Sequence, residues 1–369
     1  MTPIPYLDLT RARRRIDERL AARWRAILDG NAFVLGPEVR ELETSFRDLL
    51  GATGVVGVAN GTDALVLALR ALDLAPGDEV IVPAFSFFAT AEAVVLAGGV
   101  PVFADVMSET LNLDPADAAS RITDRTVGIL GVHLYGRPFD AEALGALCRE
   151  RGLWLVEDAA QAHGARYRGS RVGTLGALAA WSFYPTKNLG AFGDAGAVSG
   201  MDEELVERVR RLANHGQSSR YHHVAIGTNS RLDSLHAAVL NLRLETLDQD
   251  NASRRALAAI YREGLAGVGD LRLPVDAPQD EVVYHQMTVL TSRRDELMRF
   301  LAERGIGSSI HYPSPLHRQP AMARLLPAPP DLPVAERAAA EVLCLPMFAE
   351  LEVWEAETVV AAVRSFYGA

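Results

Sequence analysis

The sequence predicts an α/β protein: a three-layer, mostly parallel sheet with helices on both faces, followed by a smaller C-terminal α+β domain. Three observations carry this. Between residues 54 and 213 short apolar runs alternate with helix-like stretches, the pattern of a parallel sheet with crossover helices. The runs are apolar throughout instead of alternating with polar residues, as in strands buried on both faces. After residue 230 the periodicity lengthens into long helical stretches. The boundary falls near residue 240, giving a large domain, 1–240, and a small domain, 241–369.

The elements follow in order. Residues 11–28 carry apolar positions at helical spacing amid charge and predict a surface helix, broken by Asp29-Gly30-Asn31. Strands are predicted at 54–59, 79–82, 100–103, 126–132, 153–157, 179–183 and 195–199. Helices are predicted at 63–72, 88–97, 140–150 and 202–213. Beyond 230, Leu232, Leu235, Val239, Leu242 and Leu247 recur at helical intervals, so 231–265 forms one or two long helices. A strand-like stretch at 282–290, a helix at 295–303, a Pro-rich segment at 313–333 and a last helix at 353–366 complete the small domain.

Composition narrows the function. The 369 residues include 37 basic and 47 acidic side chains, a formal charge of −10, which argues against a nucleic-acid-coating protein. The longest apolar stretches are short and interrupted, so no membrane span is expected. Two cysteines cannot form a disulfide framework, and the N-terminal residues show no apolar signal core. A soluble cytoplasmic protein is the expectation. Asn251-Ala252-Ser253 matches a glycosylation sequon and is read as chance. No P-loop, dinucleotide fingerprint or metal-ligand cluster is evident.

Of the 37 basic residues, a single one is lysine, Lys187. Arginine replaces lysine wherever only a charge is needed, but not where a deprotonated primary amine must react. Ligands of open α/β sheets gather beyond the carboxyl ends of the strands, so the residues that follow each strand matter. Asn60-Gly61-Thr62-Asp63 follows the first and opens a helix, where free N–H groups and the Thr62 hydroxyl suit an anion. Glu157-Asp158-Ala159-Ala160-Gln161 follows the fifth, two acids among small residues where a flat heteroaromatic ring fits. Ser182-Phe183-Tyr184-Pro185-Thr186-Lys187-Asn188-Leu189-Gly190 puts the lysine on a loop just past another strand. Phosphate donors, an acid for a ring nitrogen and a unique lysine are the parts that pyridoxal phosphate (PLP) requires.

These motifs, with Asn229-Ser230-Arg231-Leu232-Asp233 and His311-Tyr312-Pro313, make the chain resemble the DegT/StrS-type nucleotide-sugar aminotransferases, PLP enzymes of fold type I. The resemblance runs from Tyr6-Leu7-Asp8-Leu9 to Leu345-Pro346-Met347. It implies that Lys187 is the Schiff-base lysine, that Asp158 binds the pyridine nitrogen (Glu157 being the alternative acid) and that Gln161 binds the ring 3′-oxygen. Phe87 would stack on the ring, with Phe88 as the alternative. Gly61, Thr62 and Ser182 would hold the phosphate. Asn229 would reach the phosphate of the neighbouring subunit, implying a homodimer with shared sites. Tyr184, Arg231, His311 and Tyr312 would line the sugar side. Where many members have Glu-Leu-Gln after the Arg-Leu-Asp, this chain has Ser234-Leu235-His236, and only packing differences are expected there.

The resemblance also implies the reaction: transfer of an amino group from L-glutamate to a nucleotide-linked keto-sugar, yielding an amino sugar for polysaccharide, lipid A or glycosylated metabolites. The stretch from His215 to Arg231 looks most like members that aminate C3 of UDP-linked 3-keto sugars, some of them N-acetylated uronates that an Arg231–His311 clamp could grip. The alternative is a 4-keto-6-deoxy sugar. A non-catalytic regulator on the same scaffold is the remote reading, against which the retained Lys187 and Asp158 both argue.

Overall fold

The computed structural model describes residues 3–326 and 328–369. Its first nine strands are β1 (Gly54–Val58), β2 (Glu79–Pro83), β3 (Val100–Ala104), β4 (Thr126–Val132), β5 (Trp154–Asp158), β6 (Arg166–Tyr167), β7 (Ser170–Arg171), β8 (Leu178–Ser182) and β9 (Gly196–Gly200). Seven of them form one sheet in the order β1-β9-β8-β5-β4-β2-β3. The pairs among β8, β5, β4, β2 and β3 are parallel, while β9 runs antiparallel to both β1 and β8.

Successive residues of each strand feed opposite faces. Val80, Val82, Leu130, Val156, Leu178 and Ala180 pack into a core with helices Gly61–Ala71, Ala89–Ala97 and Glu203–Ala213. Ala179 and Trp181 instead face Phe46 and Leu42 of helix Pro37–Leu50 and Leu240 of helix Ser234–Leu244. Ile81, Ile129 and Leu155 meet Leu144 and Cys148 of helix Ala141–Arg151. Both faces are therefore apolar, the cause of the unbroken runs in the sequence. Trp181 is fully buried edge-on to Phe46, the ring centroids 5.0 Å apart, and aromatic burial of this kind contributes roughly 1.5–3 kcal/mol per side chain.

Beyond the sheet, β10 (Gln217–Ser219) and β11 (His222–His223) form an exposed ribbon. A separate core joins β12 (Met287–Leu290) and β13 (Val342–Leu345) to Leu257 and Tyr261 of helix Leu247–Leu265, Leu297 and Leu301 of helix Arg294–Ala302, and Val359 of helix Val353–Tyr367. Ile4 belongs to that core and pairs with Ile306, which carries the N-terminal segment onto it. The stretch 282–290 is a strand only from Met287, because the N–H groups of Val283 and His285 bond to Gly136 and Tyr135 instead of to a ladder. Residues 11–28 lie in two helices, Leu9–Arg14 and Asp17–Gly30. No helix among the described residues is long and apolar enough to cross a membrane.

Candidate active site

A cavity of about 920 Å³ opens beyond the carboxyl ends of β5 and β8. Gly61, Thr62, Phe87, Asp158, Gln161, Ser182, Tyr184, Lys187, His311 and Tyr312, ten of the twelve residues singled out from the sequence, line it. Asn229 and Arg231 do not. Asn229 bridges Asn214 through its backbone, and Arg231 donates to Asn214 Oδ1 at 3.0 Å beside a separate surface depression. A single chain therefore does not assemble the Arg231–His311 clamp.

Lys187 sits on the turn after β8, its N–H bonded to the Tyr184 carbonyl. Burial pushes its amine down to about 8, and the nearby Asp158 charge partly opposes this. Asp158 ends β5, 6% exposed, its Oδ2 accepting from Thr90 Oγ1 at 2.9 Å and its Oδ1 from the Ala160 N–H at 3.2 Å. Burial raises its pKa, against the pull of those two bonds and of Lys187. Glu157, next door, points the other way on the pleat. It is fully buried and accepts from the N–H groups of Gly173, Leu175 and Gly176 and pairs with His133 Nε2 at 3.0 Å. Those four partners commit it to structure, so that of the two adjacent acids Asp158 is the one that faces the cavity.

Helix Gly61–Ala71 begins at the cavity wall. Asn60 caps it by accepting from the Asp63 N–H at 2.8 Å, which leaves the N–H groups of Gly61 and Thr62 without intrahelical partners. A Cβ on Gly61 would lie 2.6 Å from Ser182 Cβ, so only glycine lets the helix start approach the Ser182 hydroxyl this closely. This backbone-and-hydroxyl cradle, with the Asp158 carboxylate and one desolvated amine across the same space, is the donor set that suits PLP: anion-binding groups, an acid for a ring nitrogen and a reactive lysine. Phe87 is half exposed, its ring 5.8 Å from that of Tyr312, whereas Phe88 packs into the core beside the sheet. Gln161 is fixed at both ends of its amide: Oε1 accepts from the Tyr135 N–H at 2.6 Å and Nε2 donates to the Tyr312 hydroxyl at 3.1 Å.

The structure adds residues that sequence reasoning missed: Tyr6, Ser86, Thr90, His163, His285 and Gln286. Thr90, bonded to Ser86 Oγ at 2.9 Å, orients Asp158. His163 is fully buried against Trp181 and Phe183, and burial together with the Lys187 charge holds it down at about 3. His163 stands two residues past the Glu157–Gln161 motif and Tyr6 opens the resemblance, so those signals were at hand; His285 and Gln286 had none. Ser234-Leu235-His236 does more than alter packing. His236 pairs with Asp233 at 2.7 Å, which raises its pKa, and its Nε2 lies 2.5 Å from where a Gly193 Cβ would stand, adjoining Asp194 of the cavity wall. Asn251 of the sequon is buried and bonded to Asn188 and to the His163 carbonyl. Among the described residues no group of three His, Cys, Asp or Glu side chains could hold a metal ion.

Known proteins place this arrangement. The chain is 48% identical over 363 residues to a dTDP-3-amino-3,4,6-trideoxy-alpha-D-glucose transaminase of Streptomyces venezuelae, covering 98% of this chain and 96% of the relative. It is 41% identical over 362 residues to a UDP-2-acetamido-2-deoxy-3-oxo-D-glucuronate aminotransferase of Pseudomonas aeruginosa, covering 98% and 100%. The solved structure of S. venezuelae DesV superposes with a TM-score of 0.97 at 47% identity over the full length of both chains. The DegT/DnrJ/EryC1/StrS aminotransferase model matches residues 14–364. With a buried lysine, a cavity-facing acid and a helix-start cradle in one cavity, the chain belongs to the DegT/DnrJ/EryC1/StrS aminotransferase family and is a PLP-dependent sugar transaminase.

Proposed function

We infer that this enzyme aminates C3 of a 3-keto sugar carried on a nucleoside diphosphate, UDP in the reading of the sequence, with L-glutamate as donor. The working unit in this reading is a cytoplasmic homodimer in which Asn229 and Arg231 complete the partner's site. The observation that carries the chemistry is Lys187, a desolvated amine sharing one cavity with Asp158 and the Gly61–Ser182 cradle. Support for C3 comes from the two relatives, whose names place a 3-amino and a 3-oxo group on their sugars.

In this reading Gly61, Thr62 and Ser182 hold the phosphate, Asp158 the pyridine nitrogen, Gln161 the 3′-oxygen and Phe87 the ring face, and Lys187 carries the cofactor. When bound, PLP supplies an electron sink for a carbanion next to nitrogen. Lys187 Nζ, with a pKa about 8, accepts a proton from the donor's Cα in one half-reaction and returns one to the sugar carbon in the other. Asp158, dry and doubly hydrogen-bonded, keeps its charge aimed into the cavity. The test is turnover of glutamate with a panel of nucleotide 3-keto and 4-keto-6-deoxy sugars. Preferential turnover of a 4-keto sugar would overturn the C3 assignment.

A further inference from the structure

A chain of hydrogen bonds runs from a main-chain carbonyl to the sugar side of the cavity, and its polarity is fixed at every link. Asn188 Nδ2 uses both protons, donating to Val283 O and Asn251 Oδ1 at 2.9 Å each. Val283 O can only accept, so the orientation of the Asn188 amide is set. Its Oδ1 therefore accepts from His285 Nδ1, 3.2 Å away, and that ring nitrogen carries the proton. Burial first, and then the charges of Lys187 and Arg254, hold His285 neutral, so its Nε2 is a bare acceptor. That nitrogen faces Gln286 Nε2 at 3.4 Å, which turns Gln286 Oε1 toward the Tyr6 hydroxyl. Tyr6 has one proton and donates it to Gln286. It can then only accept from His311 Nε2, 3.1 Å away.

We propose that Tyr6, backed by Gln286 and His285, fixes His311 as a neutral imidazole with a bare Nδ1, making it an acceptor for a sugar hydroxyl and not a clamp for a carboxylate. Tyr6, His285, Gln286 and His311 all line the cavity. Burial and the Lys187 charge also disfavour a second proton on His311. The bare lone pair on Nδ1 and a carboxylate, which has no proton to give, would repel, whereas a hydroxyl donates into Nδ1. This specificity rests on the nucleotide-sugar reading above; the tautomer itself does not. Tyr6 is a positioning residue, acting through His311.

The experiment is a long-range proton–nitrogen correlation spectrum of ¹⁵N-histidine-labelled holoenzyme, with His311 assigned by its loss in His311→Gln. The expected spectrum shows one neutral tautomer, protonated at Nε2, at neutral pH. A proton on Nδ1, or an imidazolium, would overturn the proposal. Tyr6→Phe should leave His311 in mixed tautomers and raise KM for the nucleotide sugar roughly three- to tenfold with kcat within about twofold, the size of one net hydrogen bond. An unchanged His311 spectrum in that variant removes Tyr6 from the mechanism. Wild-type kcat/KM should favour a neutral 3-keto sugar over its uronate by about tenfold, one good hydrogen bond's worth; a uronate preference refutes the specificity. Absence of turnover with every sugar refutes the assigned reaction instead, because the spectrum is read without substrate.

Discussion

Replacing Asp158 with asparagine separates its charge from its packing. Asparagine keeps the volume, its oxygen can accept from the Ala160 N–H, and its amide can donate to Thr90 Oγ1, whose proton turns to Ser86. No buried polar group is left unpaired, so the fold should stand. Only the charge disappears, and two effects of opposite visibility follow. Turnover should fall by about a hundredfold or more, the scale of losing one preorganised electrostatic group. The Lys187 amine should become less basic still, because Asp158 is the charge that holds its pKa up against burial. At a pKa about 8, roughly a tenth of the amine is neutral at pH 7, against about one part in three thousand for an ordinary lysine, an enrichment of roughly three-hundredfold. The rate at which PLP attaches to cofactor-free enzyme, followed by absorbance between about pH 6 and about pH 10, should therefore rise and level off near 8 in the wild type, and lower in Asp158→Asn. A wild-type plateau only near the ordinary lysine value would refute the desolvated amine. Near-normal turnover of Asp158→Asn would refute the acid assignment, and Glu157 could not take its place, since four donors already hold it.

Three further outcomes follow from the same geometry. Glu157→Ala strands His133 Nε2 and three N–H groups in a dry interior and should lower stability by about 3–5 kcal/mol in urea unfolding; a loss under about 1 kcal/mol would mean that the loop 173–176 finds other acceptors. Gly61→Ala pushes the helix start off Ser182 and should weaken PLP binding tenfold or more, about 1.4 kcal/mol, with little change in circular dichroism. Mixing inactive Lys187→Ala subunits with inactive Asn229→Ala or Arg231→Ala subunits should restore part of the activity, and no recovery despite demonstrated subunit exchange would place each site within one chain.

What could be read from the sequence divides along physical lines. The seven strands of the main sheet were legible because burial on both faces writes itself as unbroken apolar runs. Helix Pro37–Leu50 escaped assignment although Pro37 stands at its first turn, Gly51 caps its end and Val39, Leu42 and Phe46 mark its buried face. The stretch 282–290 misled because its first half is apolar for a different reason: Val282 and Val283 are buried beside the 135–136 turn, not paired in a sheet. Site residues carried on strand ends and helix starts were legible, since their place follows from the sheet. Tyr6 and His285 were not: Tyr6 marked only the start of the resemblance, far in sequence from the other site residues, and nothing local distinguishes His285. Tyr6 reaches the cavity only through the pairing of Ile4 with Ile306, and His285 only through its N–H bond to the Tyr135 carbonyl.

The single lysine also acquires a physical reason. Around it, arginines perform every task that needs a permanent fork of donors: Arg243 donates to Gly190 O at 2.7 Å on the lysine loop, and Arg254 donates to Tyr284 O and Met347 O, both at 3.2 Å, behind the cavity. Each is buried deeply enough for desolvation to lower its pKa, yet a guanidinium remains charged after such a shift and so serves as a dependable structural cation. The same burial applied to an ammonium brings it to about 8, where it exchanges protons at working pH. The chain thus sorts its two cation types by what desolvation does to them. Substituting lysine at 243 or 254 would put a second titratable amine beside the cavity, and substituting arginine at 187 would keep the charge and remove the chemistry.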